Sequence, residues 1–376
     1  MAIQSYNWQK FLSRFRLGKS EEENSNKKFA FIIHPRNVSD APRKYSLMKF
    51  FPDSLIRLIC RFHTPLIASE ITGLKSFNSG EPINGWILIC PLTAQQLLNN
   101  RKLAKKKIKE TISLAERLGA KLVGIGGLIA SVTSGGKDLV DNLRIGITHG
   151  RAFTVGVSLD GIKELTKIKN LNLEQLTVGI VGATGTIGRA MSKLLLTEEK
   201  VKKFILVAKT EDFKYLTRLK EEMINLKPSS LIEISTSIHF IKDAELVIVA
   251  TSSPEILIKS EDLKYGALVY DITQPQNTSP EIIQKRKDLL IIDGGIVKTP
   301  GVNYHFDFGL PLETTFACMA ETMILAAEKK YNSRLVGNVQ PEKVKEIVKL
   351  AKKYNFTHTP FTSFGKTISL ADFKRN

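Results

Sequence analysis

Residues 176–196 read LTVGIVGATGTIGRAMSKLLL, and the fold of the chain turns on them. The apolar run 178–181 breaks at Gly182, Ala183, Thr184 and Gly185, after which Ile187, Ala190, Met191, Leu194 and Leu195 recur at helical spacing. This predicts strand, tight turn, helix. Glycines at 182, 185 and 188 let the backbone turn sharply, approach a pyrophosphate without an intervening Cβ, and pack the helix against the sheet. The helix start then offers unpaired N–H groups and the positive end of its dipole to phosphate. Gly182, Ala183, Thr184, Gly185, Thr186, Ile187 and Gly188 are therefore the candidate cofactor loop. Their GxxGxxG spacing is a form associated with NADP enzymes, with an ordinary glycine-rich β–α turn as the plain alternative.

Downstream, unbroken apolar runs at 204–208, 232–235, 246–250, 268–270 and 290–292 follow the strand at 177–181, as buried parallel strands do. Helical connections between them imply a doubly wound sheet with its ligand at the strand C-terminal ends, where Thr251, Ser252, Asp271 and Asp293 fall. The end of the second strand reads the adenosine ribose. NAD binders place a carboxylate there. This chain has Lys209 and then Thr210, an ammonium and a hydroxyl suited to a 2′-phosphate, so NADPH is the expected cofactor.

Upstream, residues 29–33 form a short strand ending in His34 and Pro35. Prolines 42, 52 and 65 interrupt the following apolar segment, where no elements are assigned. A strand at 86–89 precedes one long helical pattern at 93–118, with Leu97, Leu98, Ala104, Ile108, Ile112, Ala115 and Leu118 on its buried stripe and Gly119 at its end. Its other face carries Lys102, Lys105, Lys106 and Lys109, either a solvated surface or a dock for an acidic partner. A strand near 121–124, the loops Gly126-Gly127 and Ser134-Gly135-Gly136, and the segment 147–157 complete a first α/β unit, followed by a linking helix at 159–168.

The chain has 376 residues, 43% of them hydrophobic, with a formal net charge of +18. That excess favours acidic partners, but the lysines are dispersed and lack the interleaved aromatics of single-strand binders, which argues against nucleic acid. No apolar run is long enough to span a bilayer. Three cysteines, Cys60, Cys90 and Cys318, form neither a disulfide framework nor a CxxC zinc spacing. No metal site is read, and a reducing cytoplasm is the expected setting. The first twenty residues lack Asp and Glu, and Trp8, Phe11, Leu12 and Phe15 recur at helical spacing among basic residues. Such a segment suits either a solvated tail or a peripheral contact with an anionic membrane.

Residues 312–331, LETTFACMAETMILAAEKKY, read as a helix behind Pro311, with Cys318 in its first two turns and Glu321 one turn on. A thiol near a helix N-terminus gains thiolate character and is a candidate nucleophile. Free cysteine is also a common core residue, and the residues alone leave both readings open.

Several stretches resemble the cyanobacterial long-chain acyl-acyl carrier protein reductase family. FACMAE at 316–321 is similar to the family's FACFAE nucleophile segment, GATGTIG at 182–188 to its GATGDIG loop, and Gly294-Gly295-Ile296-Val297 to its GGIV turn. Gly126-Gly127, Ile71-Thr72-Gly73 and His34 add weaker matches in the same order, over roughly residues 29 to 365. The chain departs from the family at 148–154, where THGRAFT stands for TTGNTHT. The resemblance implies an NADPH-dependent enzyme that accepts an acyl group from an acyl carrier protein or coenzyme A thioester onto Cys318 and releases it as an aldehyde. It also implies proton or hydrogen-bond support, for which His149, His34 and Glu321 are the candidates. The implied architecture is α/β: a doubly wound parallel (Rossmann) sheet domain with a second α/β substrate domain and C-terminal helices packing back. Its divisions are a tail and linker at 1–28, the substrate domain at 29–157, the NADP domain at 158–310 and the nucleophile-bearing segment at 311–376. Two alternatives are a shikimate- or amino-acid-dehydrogenase-like enzyme acting on a small ketone or hydroxy acid, and a non-catalytic NADPH-binding protein.

Overall fold

A computed structural model describes residues 27–40, 50–358 and 360–368; the amphipathic segment at 1–20 lies outside them. The first sheet is built around β1 (Lys27–Ile33). The proline-interrupted stretch supplies α1 (Asp53–Phe62) and β2 (Leu66–Ile71). Its prolines are punctuation, since Pro52 is the N-cap of α1 and Pro65 immediately precedes β2. β3 (Asn84–Ile89) runs parallel to β1 and antiparallel to β2. The single helix expected at 93–118 is two, α2 (Ala94–Asn99) and α3 (Arg101–Arg117). Asn100 leaves helical geometry at φ −138° and caps the second helix, its side chain accepting from Leu103 N. β4 (Leu122–Ile125), the short α4 (Gly127–Val132) and β5 (Gly146–Thr148) follow, giving the order 5-4-1-3-2.

The linking helix begins eight residues earlier than expected, as α5 (Arg151–Ile168), and passes residues 157 and 158 unbroken. Thr154, Val155 and Val157 suggest extended structure locally, but the helix is buried nearly all round and tertiary packing decides. Gly156 and Gly161 mark its close contacts, for added Cβ atoms would overlap Val348 and the Tyr270 hydroxyl.

The second sheet comprises β6 (Thr177–Val181), β7 (Lys203–Val207), β8 (Leu231–Ser235), β9 (Leu246–Val249), β10 (Leu268–Asp271) and β11 (Leu290–Asp293). All are parallel, in the order 11-10-9-6-7-8. This is the 3-2-1-4-5-6 arrangement of a Rossmann sheet, with its switch point between β6 and β9. α6 (Thr186–Thr197), α7 (Phe213–Leu226) and α8 (Pro280–Lys285) connect strands. The passages from β8 to β9 and from β9 to β10 use short 3-10 helices of six and three residues instead of the expected α-helices.

The chain then returns. β12 (Ile296–Lys298) pairs antiparallel with β13 (Thr314–Phe316), which leads directly into α9 (Ala317–Ala327). The expected helix at 312–331 is therefore shorter at both ends. β14 (Arg334–Leu335) adds to β5 at the edge of the first sheet, and α10 (Pro341–Lys353) packs on α5. β15 (Thr357–His358) pairs with β12, while β16 (Thr362–Ser363) and β17 (Lys366–Thr367) form a hairpin held by the Asp293 carboxylate. One core joins Phe29 and Phe31 of the first sheet, Met319, Met323 and Ile324 of α9, and Val178 and Ile180 of the second sheet. Each such side chain contributes about 1.5–3 kcal/mol on burial.

Candidate active site

The glycine loop fits a dinucleotide. Gly182 adopts φ +85°, and an added Cβ would lie 2.7 Å from Ala250 O, across the switch point. Gly182 N and Ala183 N donate to Val207 O at 2.8 and 3.0 Å, tying the turn to β7. Gly185 N donates to Gly182 O at 3.0 Å, and Gly185 caps α6 with no side chain in the way. The first-turn N–H groups, which helical geometry leaves unpaired, thus open at the strand ends. A Cβ on Gly188 would overlap Gly182 O, so the helix can approach the loop this closely only with glycine there. Ile187 packs on the core.

Around this cradle, Thr251 Oγ1 donates to Asn277 Oδ1 at 2.6 Å, fixing the loop after β9 from which Ser252 is exposed. Lys209 is exposed, with its Nζ 3.9 Å from Glu211 Oε1. Thr184 Oγ1 lies 3.5 Å from Asp212 Oδ2. These two carboxylates, a turn beyond the strand end, are neighbours that the sequence reading did not weigh. Asp271 and Asp293 at the next strand ends serve the fold: Asp271 accepts from Thr273, Asn277 and Thr278.

Cys318 is the second residue of α9, and the preceding Ala317 N donates to Gly295 O at 2.8 Å. The GGIV turn at the end of β11 therefore holds the start of the thiol's helix. Two further glycine loops, at the ends of β4 and β5, make room for it. A Cβ on Gly126 would lie 3.0 Å from Cys318 Sγ, and one on Gly150 would overlap the Cys318 backbone. The residue is partly exposed. Burial pushes its thiol up to about 12 and the Glu321 charge adds to this, while the Met319 N–H and the Arg151 cation pull the other way. The Met319 N–H at the helix start favours the thiolate, but desolvation outweighs it.

Glu321 is fully buried and turned toward the start of α5, accepting from the Thr148 hydroxyl and, at 2.7 Å, from Phe153 N. Burial raises its carboxyl to about 6. His149 is buried as well. Its Nε2–H donates to Gly337 O at 3.1 Å and its Nδ1 accepts from Arg151 N at 3.2 Å, so neither nitrogen is left to pass a proton to the sulfur. Burial and the Arg151 charge bring it down to about 3, a neutral ring throughout the physiological range. His34, at the end of β1, donates from Nδ1 to Pro35 O at 2.9 Å and faces Gly127 with Nε2, 3.7 Å from where a Cβ would sit.

Sequence reasoning missed Arg151. Its Nη1 donates to Thr186 Oγ1 at 2.9 Å, in the cofactor loop, and its Nη2 to Ser131 Oγ at 3.3 Å. Among the described residues no carboxylate pairs with it. Burial lowers it to about 10, with Cys318 acting in the opposite sense. An unpaired cation between a thiol and a phosphate cradle is a ready counter-charge for an anion. The one sequence signal was the departure at 148–154. Among the described residues no three His, Cys, Asp or Glu side chains converge as metal ligands, and no described helix is long and apolar enough to cross a membrane.

A family model for shikimate / quinate 5-dehydrogenase matches residues 164–293. The chain is 26% identical over 357 residues to aminotransferase PigE of Serratia sp. (strain ATCC 39006), covering 91% of this chain and 41% of that protein. It thus spans about two-fifths of that relative's length. It is 24% identical over 309 residues to the long-chain acyl-[acyl-carrier-protein] reductase of Synechococcus elongatus, covering 78% of this chain and 87% of that one. Among solved structures, shikimate 5-dehydrogenase from Listeria monocytogenes shares 12% identity at a TM-score of 0.34, covering 86% of this chain and 97% of that chain. The chain carries a Rossmann-type domain for a nicotinamide cofactor.

Proposed function

We propose that the chain reduces an acyl thioester, delivered on an acyl carrier protein or coenzyme A, to the aldehyde, with Cys318 as the acyl-carrying nucleophile and NADPH as reductant. The observation that carries this reading is the junction at which Ala317 bonds Gly295 while Arg151 reaches Thr186, bringing the thiol's helix against the cofactor domain. The relative from Synechococcus elongatus, a long-chain acyl-[acyl-carrier-protein] reductase by name, supports the substrate class. Lys209, exposed at the end of β7, supports NADPH over NADH. Three free cysteines suit the reducing cytoplasm.

In this reading Cys318 attacks the thioester carbonyl and its thiol proton passes to the departing sulfur, so that a new thioester forms on Sγ and the carrier leaves as its thiol. The Met319 N–H and the Arg151 guanidinium favour negative charge at the sulfur. Glu321 fixes the first turn of α5, and His149 fixes the Arg151 backbone, so both act as positioning residues. When bound, the nicotinamide supplies the hydride. Thr186 and the glycine loop would hold its pyrophosphate end, with Arg151 bonded to Thr186 from the thiol side.

Intact-protein mass spectrometry after mixing with acyl-coenzyme A, without reductant, tests the proposal. The expected result is one added acyl group, retained in Cys60→Ala and Cys90→Ala and absent in Cys318→Ala. NADPH turnover of the thioester with no adduct and with Cys318→Ala fully active overturns it. A second reading, reduction of a small ketone, draws on the shikimate / quinate match and on the high thiol pKa. Under it, Cys318→Ala keeps ketone reduction and loses only stability.

A further inference from the structure

Helix α1 is apolar on both faces. Ile56 and Cys60 are buried against the protein. On the outer side Leu55, Leu58 and Phe62 follow at spacings of three and four residues and are 38%, 51% and 71% exposed, and Phe51, just ahead of the helix, is 42% exposed. Phe50 beside them is 72% exposed. A contiguous stripe of large apolar side chains on a folded domain marks a surface that something covers.

Cations edge the stripe. Arg61 lies over the Phe62 ring, 5.9 Å from its centroid, and has no carboxylate partner among the described residues. Past the helix, Thr64 and Pro65 form one lip of a groove of about 790 Å³ whose other wall is the outer face of α3, with Lys102, Lys105, Lys106 and Lys109. Lys105 pairs with Asp138 at 2.7 Å. Lys102, Lys106 and Lys109 have no carboxylate partner among the described residues. Lys107 turns inward instead and donates to His63 O at 2.9 Å, and Gln96 donates to Arg57 O at 2.7 Å, so α1 is fastened to α2 and α3. The apolar stripe and the lysine wall therefore belong to one rigid unit.

We infer that this unit seats the protein on an anionic lipid bilayer. A convex helix face offering Phe and Leu side chains needs a partner that deforms around it, and the acyl boundary of a leaflet does so. Lysines are mobile point charges that meet scattered headgroup phosphates without fixed geometry. The net charge of +18 adds long-range attraction of the same sign. Ala94 N bonds Pro35 O, so α2, and α1 with it, lies at the same strand ends as His34. The inference stands whether or not the substrate is an acyl thioester.

The test is co-sedimentation of the full chain with phosphatidylglycerol–phosphatidylcholine vesicles and with phosphatidylcholine alone. The wild-type protein is expected to pellet with the anionic vesicles, less so as salt is raised. Substituting Phe51→Ser, Leu55→Ser, Leu58→Ser and Phe62→Ser together should lower partitioning about ten-fold or more. Lys102→Glu, Lys106→Glu and Lys109→Glu together should abolish the preference for anionic vesicles. All seven positions face solvent, and unchanged circular-dichroism melting shows the variants folded. Three results overturn the inference: no pelleting of the wild type; equal pelleting of the serine variant, which places the contact elsewhere; or capture of the wild type by an acidic carrier protein, lost in both variants, with no vesicle binding.

Discussion

A thiol held up to about 12 is almost entirely protonated at pH 8, with a thiolate fraction on the order of one in ten thousand. Iodoacetamide labelling of Cys318 in the free protein, mapped by peptide mass, should therefore be slow at pH 8 and climb roughly ten-fold per pH unit toward pH 11. Arg151→Gln removes the cation that favours the thiolate, so labelling at any one pH should slow further, by a few-fold or more. Equal rates in the two proteins would show that Arg151 does not act on the sulfur. Glu321 gives a second titration. Its folded pKa of about 6 lies above the ordinary carboxyl value of 4.5, so the folded state binds the proton more tightly than the unfolded chain. Its stability contribution is full below pH 4.5 and is lost as pH rises through 6, up to about 2 kcal/mol. Comparing urea midpoints of the wild type and Glu321→Gln across pH 4.5–7 should show a relative loss in the wild type only, and parallel profiles would refute the assignment.

Gly188→Ala tests the contact between α6 and its loop. The added Cβ overlaps Gly182 O and lies 2.9 Å from Gly182 C, so the helix must retreat from the loop. A cost of about 1–3 kcal/mol in stability and weaker NADPH binding by calorimetry are expected. Intact affinity would show that the cradle tolerates the shift. This strand–turn–helix was legible in sequence because its chemistry is local, and the other strands of its sheet were legible because burial on both faces leaves them unbroken. Helix α5 was half-legible: its β-branched residues favour extended structure locally and its glycines weaken a helix, and only packing against Val348 and Tyr270 explains Gly156 and Gly161. Prolines hid α1 and β2, although Pro52 opens the helix. Spacing placed Cys318 and Glu321 on one helix, while their roles came only from the family resemblance. Arg151 was not legible, because its partner Thr186 lies 35 residues away on another element.

The two sheets share one core through α5 and α9, and Arg151 bonds across them. They should therefore melt together. In a Trp8→Phe background, fluorescence reports Trp86, buried in the first sheet, while the cofactor loop lies in the second. Saturating NADPH should raise the Trp86 transition as far as the circular-dichroism transition, equivalent to about 2.7 kcal/mol at a hundred times Kd. A Trp86 transition that ignores the cofactor would mean the sheets unfold separately. Helix α9 also sets a timetable. It covers the face of the first sheet that carries Phe29 and Phe31, yet it begins 169 residues after the end of β5 (317 − 148). A ribosome adding about 5–20 residues per second leaves that face bare for on the order of ten to thirty seconds. During synthesis the emerging half-protein is thus a sticky surface for a chaperone to shield until the late helix arrives.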